Sequence, residues 1–409
     1  MSILTLIYLF LFFFGIFFIM LFLILHWRYR GLLYHNPKPT RFPTISFLVP
    51  AYNEESTLED TINSLIGVDY PSKKKEIIII NDGSKDNTLK IAQELAKRYS
   101  CVKVLDKPNS GKANSLNAAL KIAKGELCAV VDADSYPKKD AVMKMVGHFE
   151  EEGVAAVTSR VLVKNKENYL ERFQVLDYSI IAWTRKLLDF VDSVYVTNGP
   201  LSIYKTDVLK KLGGFDPTNL TEDIEVTWHI LSEGYKTRMS YSAIVYTSVP
   251  NKIKGWVKQR VRWNLGGIQT IQKYWRFLFK NPDMMFGYFV IPYVASAFFF
   301  ALVGFSLMLR FILIKAPYYI IASFYFTEGY NLFRYFEFYF VPTALLFLAT
   351  TFMIITLWYY KIGFKHSETK NKSILKILVY ALIYRALYVV PLILAIYKLV
   401  KKDIRWYTK

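Results

Sequence analysis

Residues 3–25 read ILTLIYLFLFFFGIFFIMLFLIL, a run without one charged side chain. As a helix it is long enough to cross a hydrocarbon core of roughly 30 Å. A second uncharged run covers 284–309 and a third covers 338–360. A fourth, 373–399, is interrupted by Lys376, Arg385 and Pro391. Between the second and third, residues 311–326 are broken by Lys315 and Pro317, which leaves a span, a re-entrant piece and an interfacial helix all open. Lipid offers no partner for an open strand edge, so these runs are expected to be helices.

The first run lacks a basic leader and a small-residue cleavage site, so it reads as a signal anchor rather than a removed signal. Arg28, Arg30, Lys38 and Arg41 follow it and nothing basic precedes it. The positive-inside rule then places the start outside and the body of the chain in the cytoplasm. The expectation is a multi-pass integral protein of the cytoplasmic membrane with its soluble block facing the cytoplasm. One tension remains near the end. Lys361, Lys365, Lys370 and Lys372 favour the inside, and so do Lys401, Lys402 and Arg405. One span between the clusters cannot satisfy both, so 373–399 is a hairpin, or lies at the interface, or one cluster faces out. Cys101 and Cys128 read as reduced, buried residues. The sequon Asn219-Leu220-Thr221 reads as a chance match on the wrong side of the membrane.

The net charge of +19 is dispersed over surface and juxtamembrane Lys and Arg. An anionic lipid face or an anionic substrate accounts for it. No helix-turn-helix, zinc-finger or RNP-like pattern accompanies it, so nucleic acid is not expected as a partner.

From about 41 to 280 short apolar runs alternate with amphipathic stretches. Residues 45–49 (ISFLV), 76–80 (EIIII), 102–105 and 126–131 are strand-like, and 56–66, 85–99 and 112–124 have helical period. Strands apolar on both faces and separated by helices predict an α/β block built on a mostly parallel sheet. Ligands bind such sheets at the carboxyl ends of the strands. Three of these strands end in polar turns, at Asn53-Glu54-Glu55, at Asp82 and at Asp132-Ala133-Asp134. Helix capping is the plainer use of such residues, but three on successive strands predict a site.

Residues 130–135 read VVDADS, two carboxylates at a sheet edge. Mg²⁺ takes one or two carboxylates together with substrate phosphates. Residues 109–116 (NSGKANSL) put a glycine before Lys112 at a helix start, where backbone N–H groups and an ammonium can meet phosphate; P-loop spacing is missing. Residues 219–229 (NLTEDIEVTWH) place Thr221 as a helix cap with Glu222 and Asp223 in the first turn, and one of those carboxylates suits a general base. Residues 196–201 (VTNGPL), with Asn198 and Gly199, suit close approach by a ligand. Residues 258–263 read KQRVRW. Gln259, Arg262 and Trp263 recur at spacings that share a helix face, while Lys258 and Arg260 are expected toward the membrane surface.

The ordered series PAYNEE (50–55), NDGS (81–84), GKANSLN (111–117), DADS (132–135), TED (221–223) and QRVRW (259–263) resembles membrane-embedded family 2 glycosyltransferases of the GT-A fold. Within that family it is similar to the branch holding cellulose, chitin, hyaluronan and poly-N-acetylglucosamine synthases. The resemblance covers about residues 41–270. It implies a Rossmann-like GT-A domain over 41–250 and interfacial helices carrying QRVRW over 251–283. An anchor at 1–27, a membrane region at 284–400 and a basic tail at 401–409 complete the order. It implies a UDP-sugar donor held by Asn53, Glu54, Asp82, Lys112 and Asp132. A divalent metal, Mg²⁺ or Mn²⁺, would sit on Asp134 with Asp132. Asp223 would be the base, supported by Glu222. The diphosphate and acceptor would meet Gln259, Arg262, Trp263, Asn198 and Gly199. The activity implied is inverting β-glycosyl transfer to a growing polysaccharide that is exported through the protein's own spans. Single addition to a ceramide-like or polyprenyl-phosphate lipid is the alternative, and a non-catalytic membrane protein of the same fold is a third reading.

Overall fold

The computed structural model describes residues 3–280, 285–318, 321, 343–368 and 373–402. Helix α1 (Ile3–Tyr29) leads into an eight-stranded sheet. Strand β1 (Ile45–Ala51) lies parallel to β2 (Lys75–Asp82), and β2 lies parallel to β3 (Val102–Lys107). On its other side β1 pairs in parallel with β4 (Leu127–Val130). Helices α2 (Leu58–Ile66), α3 (Thr88–Arg98) and α4 (Lys112–Ile122) make the crossovers. These are the four strands and three helices the sequence pattern predicts. Strand order reverses at β1, which opens a crevice at the carboxyl ends of β1, β2 and β4.

The rest of the sheet lies beyond that pattern. β5 (Ser135–Pro137) and the short helix α5 (Met143–Val146) precede β6 (Val154–Val163). The long helix α6 (Tyr169–Asp189) follows, then β7 (Ser202–Lys205), α7 (Thr206–Lys211), α8 (Glu222–Ser232) and β8 (Lys236–Thr247). β7 runs antiparallel to both β4 and β6, β8 is parallel to β6, and β5 closes the edge antiparallel to β8. The sheet is therefore mixed and mostly parallel. Leu48, Ile78, Ile80 and Val130 point to one face of it, and Phe47, Val49, Ile77 and Ile79 to the other, each within its own apolar cluster.

Helix α9 (Ile253–Tyr274) carries QRVRW. Beyond it come α10 (Phe286–Tyr318), α11 (Thr343–Phe364) and α12 (Ile374–Val400). Among the described residues, four helices are long and apolar enough to cross a membrane, and they fall on α1, α10, α11 and α12. Residues 311–318 prolong the apolar helix α10. The remainder of the ambiguous 311–326 stretch, apart from Ile321, lies outside the described residues, as do residues 338–342, Lys370, Lys372 and Arg405. Residues 374–400 run as one helix, so the hairpin reading is corrected. Cys128 is buried as expected, whereas Cys101 is only half-buried, and both are free.

Helix α6 joins the sheet to the long apolar helices α1, α11 and α12. It starts in a capping box, with Asn168 Oδ1 accepting from the Glu171 N–H and Glu171 Oε2 accepting from the Asn168 N–H. Its apolar face packs Trp183 and Ile180 with Phe22 of α1, Phe364 of α11 and Tyr380 of α12. Its polar anchor is Asp177, which is fully buried. Asp177 accepts from Arg260 of α9 at 3.2 Å, from the Tyr380 hydroxyl at 3.0 Å and from the Tyr388 hydroxyl, with Arg385 at 3.6 Å.

Arg260 thus corrects the expectation that placed it at the membrane surface. It is 1% exposed and lies 4.0 Å from the centre of the Trp263 ring. A guanidinium can be taken out of water only where a carboxylate and ring faces replace the solvent. Asp177→Ala is expected to destabilise the protein by about 3–5 kcal/mol, because it strands that guanidinium. Thermal unfolding in detergent measures it.

Candidate active site

The turns after β1 and β2 are stitched together. Asn53, in a left-handed conformation (φ 55°), donates its N–H to Ser84 Oγ (3.1 Å) and accepts the Lys85 N–H on Oδ1 (2.9 Å). The Glu54 N–H donates to Thr88 Oγ1 at 2.8 Å. Asp82, 4% exposed, has both oxygens engaged. Oδ1 accepts from Lys107 Nζ (2.5 Å) and the Ser110 N–H (3.0 Å), and Oδ2 accepts from the Gly111 N–H (2.9 Å). Burial alone would raise its pKa, but these donors, Lys107 first, hold the carboxyl below its ordinary range. Asp82 therefore shapes the 107–111 loop that carries the chain into α4.

Lys112 opens α4 and is the meeting point of the site. Its ammonium lies 2.5 Å from Asp132 Oδ1, at the end of β4, and 2.6 Å from Glu222 Oε1, at the start of α8. Burial opposes its charge, yet the two carboxylates raise its pKa. Gly199 is wedged against this pair. A Cβ there would fall 2.6 Å from Asp132 Oδ2 and 2.9 Å from Lys112 Nζ, so a side chain at 199 would force this pair to shift. The plainer alternative for Lys112, a solvated loop lysine, does not describe it.

Glu222 and Asp223 are adjacent but electrostatically opposite. Glu222 is buried, and Lys112 with the charge of Arg262 outweighs the burial and holds its carboxyl below the ordinary range. Asp223 is pushed up to about 6, first by burial and then by the Glu222 carboxylate, against Lys112 and Arg262. Like charges on neighbouring carboxyls push their pKa values apart. Thr221 is not the side-chain cap predicted for α8; its hydroxyl donates to Asn219 Oδ1 at 3.3 Å. Asn219 itself is buried, with its amide on Thr270 Oγ1.

The charge of Arg262 acts on the acidic pair because α9 packs on α8. Gly266 permits it: a Cβ on Gly266 would come within 1.9 Å of Thr221 Oγ1. Gln259 Oε1 accepts from Arg260 at 3.1 Å, and Trp263 lies 6.5 Å from the Tyr178 ring, centre to centre. Asn198 accepts from the Arg185 guanidinium on Oδ1, and its N–H donates to Thr158 Oγ1. Sequence reasoning passed over Tyr178 and Arg185. Their signal was weak, since α6 sits between motifs and its polar residues are spaced like those of any amphipathic helix.

At the end of β4, Asp134 is partly exposed, with Ser135 Oγ and Thr247 Oγ1 each 3.5 Å from Oδ1. Among the described residues no three His, Cys, Asp or Glu side chains gather as a metal cage. The donor set at this edge is Asp132 and Asp134. Two carboxylates are the donor type a hard divalent cation takes together with phosphate ligands.

Residues 46–213 match the family model "Glycosyl transferase family 2". The poly-beta-1,6-N-acetyl-D-glucosamine synthase of Staphylococcus epidermidis is 34% identical over 254 residues, covering 62% of this chain and 61% of that one. The protein of the same name from Staphylococcus aureus strain COL is 34% identical over 229 residues, 56% of this chain and 55% of that one. The chain thus spans less than two thirds of the length of the curated relatives it matches. A mannosyltransferase from Pyrobaculum calidifontis, solved with GDP-Man and Mn²⁺, aligns over 94% of this chain and 96% of its own. The TM-score is 0.61 at 21% identity, a likeness of fold.

Asp223 is expected to titrate near pH 6, and Glu222→Gln to lower that midpoint by removing the negative neighbour. Infrared difference spectra of the carboxyl stretch, with Asp223→Asn as the blank, read both.

Proposed function

We propose, on the premise that residues 46–213 form a family 2 glycosyltransferase domain, that the chain is an inverting β-glycosyltransferase. It moves a sugar from a UDP-sugar to a growing polysaccharide, which leaves through the membrane helices. The relatives' names make N-acetylglucosamine the first donor sugar to test. The observation that carries the reading is the junction of Lys112, Asp132 and Glu222, with Asp223 beside it at a raised pKa.

A base with a pKa of about 6 is ionised at neutral pH yet more basic than an exposed carboxylate. Asp223 takes the proton from the acceptor hydroxyl. The acceptor oxygen forms a bond to the anomeric carbon on the face opposite the diphosphate. The anomeric carbon–oxygen bond breaks, and its electron pair leaves with UDP. An α-linked donor then gives a β-linked product. Glu222 keeps Lys112 in place and raises the basicity of Asp223. Gln259 and Arg262 meet the diphosphate as its charge develops, and Trp263 presents an apolar face to the acceptor sugar. Asn53 and Glu54, with Asp82 shaping the loop beside them, bound the nucleoside.

Asp134, with Asp132, would hold Mg²⁺ or Mn²⁺, which when bound neutralises charge on the leaving diphosphate. The soluble domain faces the cytoplasm, where UDP-sugars are made, and the protein is a multi-pass membrane protein.

Membranes carrying the protein are expected to transfer label from a UDP-sugar into high-mass product; one sugar on an extracted lipid would instead support single addition. Asp223→Asn is expected to lower the rate about 10²–10⁴-fold with UDP binding kept. Wild-type rates from the Asn variant would overturn the enzyme reading. In the wild type the rate should fall with pH below about 6, as the base becomes protonated.

Chelation with EDTA is expected to abolish transfer, and Mg²⁺ or Mn²⁺ to restore it. Asp134→Ala should need a higher metal concentration for half-maximal rate. A metal titration of each protein reads this.

A further inference from the structure

Arg185 takes no part in the transfer step described for Asp223, Glu222 and Lys112. It lies on α6, is 6% exposed, and has no carboxylate within 4.0 Å among the described residues. One N–H donates to Asn198 Oδ1, while its Nε is buried without any partner. Burial lowers its pKa. A guanidinium without an ion-pair partner is costly to bury. A site that retains one is expected to supply its missing acceptor in a bound state.

The surroundings tell which state. Arg185 lies within electrostatic range of Tyr195, Asp223, Tyr178 and Tyr293. Tyr178 neighbours the Trp263 ring, and Tyr195 lies 5.8 Å from Tyr293 at the start of the membrane helix α10. The Lys112–Asp132 pair lies on the other side, at the start of α4 and the end of β4. The boundary is the pair Asn198 and Gly199. Asn198 bonds Arg185, whereas Gly199 abuts Asp132 and Lys112. Asp223 is within electrostatic range of both, of Arg185 on one side and of Lys112 on the other.

We propose that Arg185, oriented by Asn198, is an acceptor-binding residue. Its guanidinium donates to an oxygen of the acceptor sugar next to the attacking hydroxyl and so turns that hydroxyl toward Asp223. The ligand is an oxygen acceptor, because a guanidinium only donates; the tyrosines around it, Tyr178, Tyr195 and Tyr293, favour a sugar hydroxyl or an acetamido carbonyl over a phosphate. The proposal rests on the glycosyltransferase reading. It adds a residue outside every motif that reading used.

The test compares the full-length wild type with Arg185→Met and Arg185→Lys in detergent. Three quantities are measured: UDP affinity, UDP release from UDP-N-acetylglucosamine to water, and transfer to β-linked N-acetylglucosamine oligomers of varied concentration. Arg185→Met is expected to lower kcat/KM for the oligomer about 100-fold, the scale of losing a charged hydrogen bond. UDP affinity should stay within about twofold and UDP release to water should persist. Arg185→Lys should recover part of the transfer, and it carries the test if the Met variant does not fold. Unchanged oligomer kinetics in both variants would overturn the proposal, as would a loss of UDP affinity in step with transfer. A wild type that neither binds UDP nor releases it from any UDP-sugar would instead remove the underlying glycosyltransferase reading.

Discussion

Asp177 is the contact on which the placement of everything else depends. A carboxylate in an apolar interior is tolerable only when donors surround it. Its donors come from α9 and α12, while it belongs to α6. One side chain thereby ties the helix that carries QRVRW to a helix apolar enough to cross the membrane and to the helix that lines the cleft. The geometry is exacting because each donor is itself constrained. Arg260 lies over the Trp263 ring, and Tyr380 packs among Phe364 and Tyr384. Moving α12 therefore moves α9, and with it Arg262.

A second constraint operates at the sheet edge. Lys112 donates to two carboxylates from elements far apart in the chain, β4 and α8. Glu222 is kept ionised by that ammonium, and its charge in turn disfavours ionisation of Asp223. Adjacent acids thus acquire different properties from one lysine. Gly199 and Gly266 serve the same assembly by subtraction. Each leaves the space in which two elements approach closer than a Cβ would allow.

Much of this was readable in the residues. The parallel half of the sheet follows from apolar runs at 45–49, 76–80, 102–105 and 126–131, because strands buried on both faces must be apolar throughout. The convergence of Asn53, Asp82 and Asp132 follows from their position at the ends of those strands. The second half of the sheet was less legible. β7 is short, and β8 alternates buried and half-buried positions, a pattern that irregular segments share. Arg260 was misread for a physical reason: a cation near a membrane is ordinarily solvated, and only a distant buried carboxylate makes the opposite placement stable.

The sequence by itself determined which segments leave water, where the polar turns fall, and which acids and bases the chain can bring to one sheet edge. These are local properties, carried by runs of side chains and by turn chemistry. Tertiary structure alone decided which cation meets which carboxylate. Asp177 and Arg260, or Lys112 and Glu222, are separated by long stretches of chain, and nothing in their neighbours marks them as partners. Only packing brings them within hydrogen-bonding reach, and burial then makes each pairing strong enough to set the electrostatics of the site.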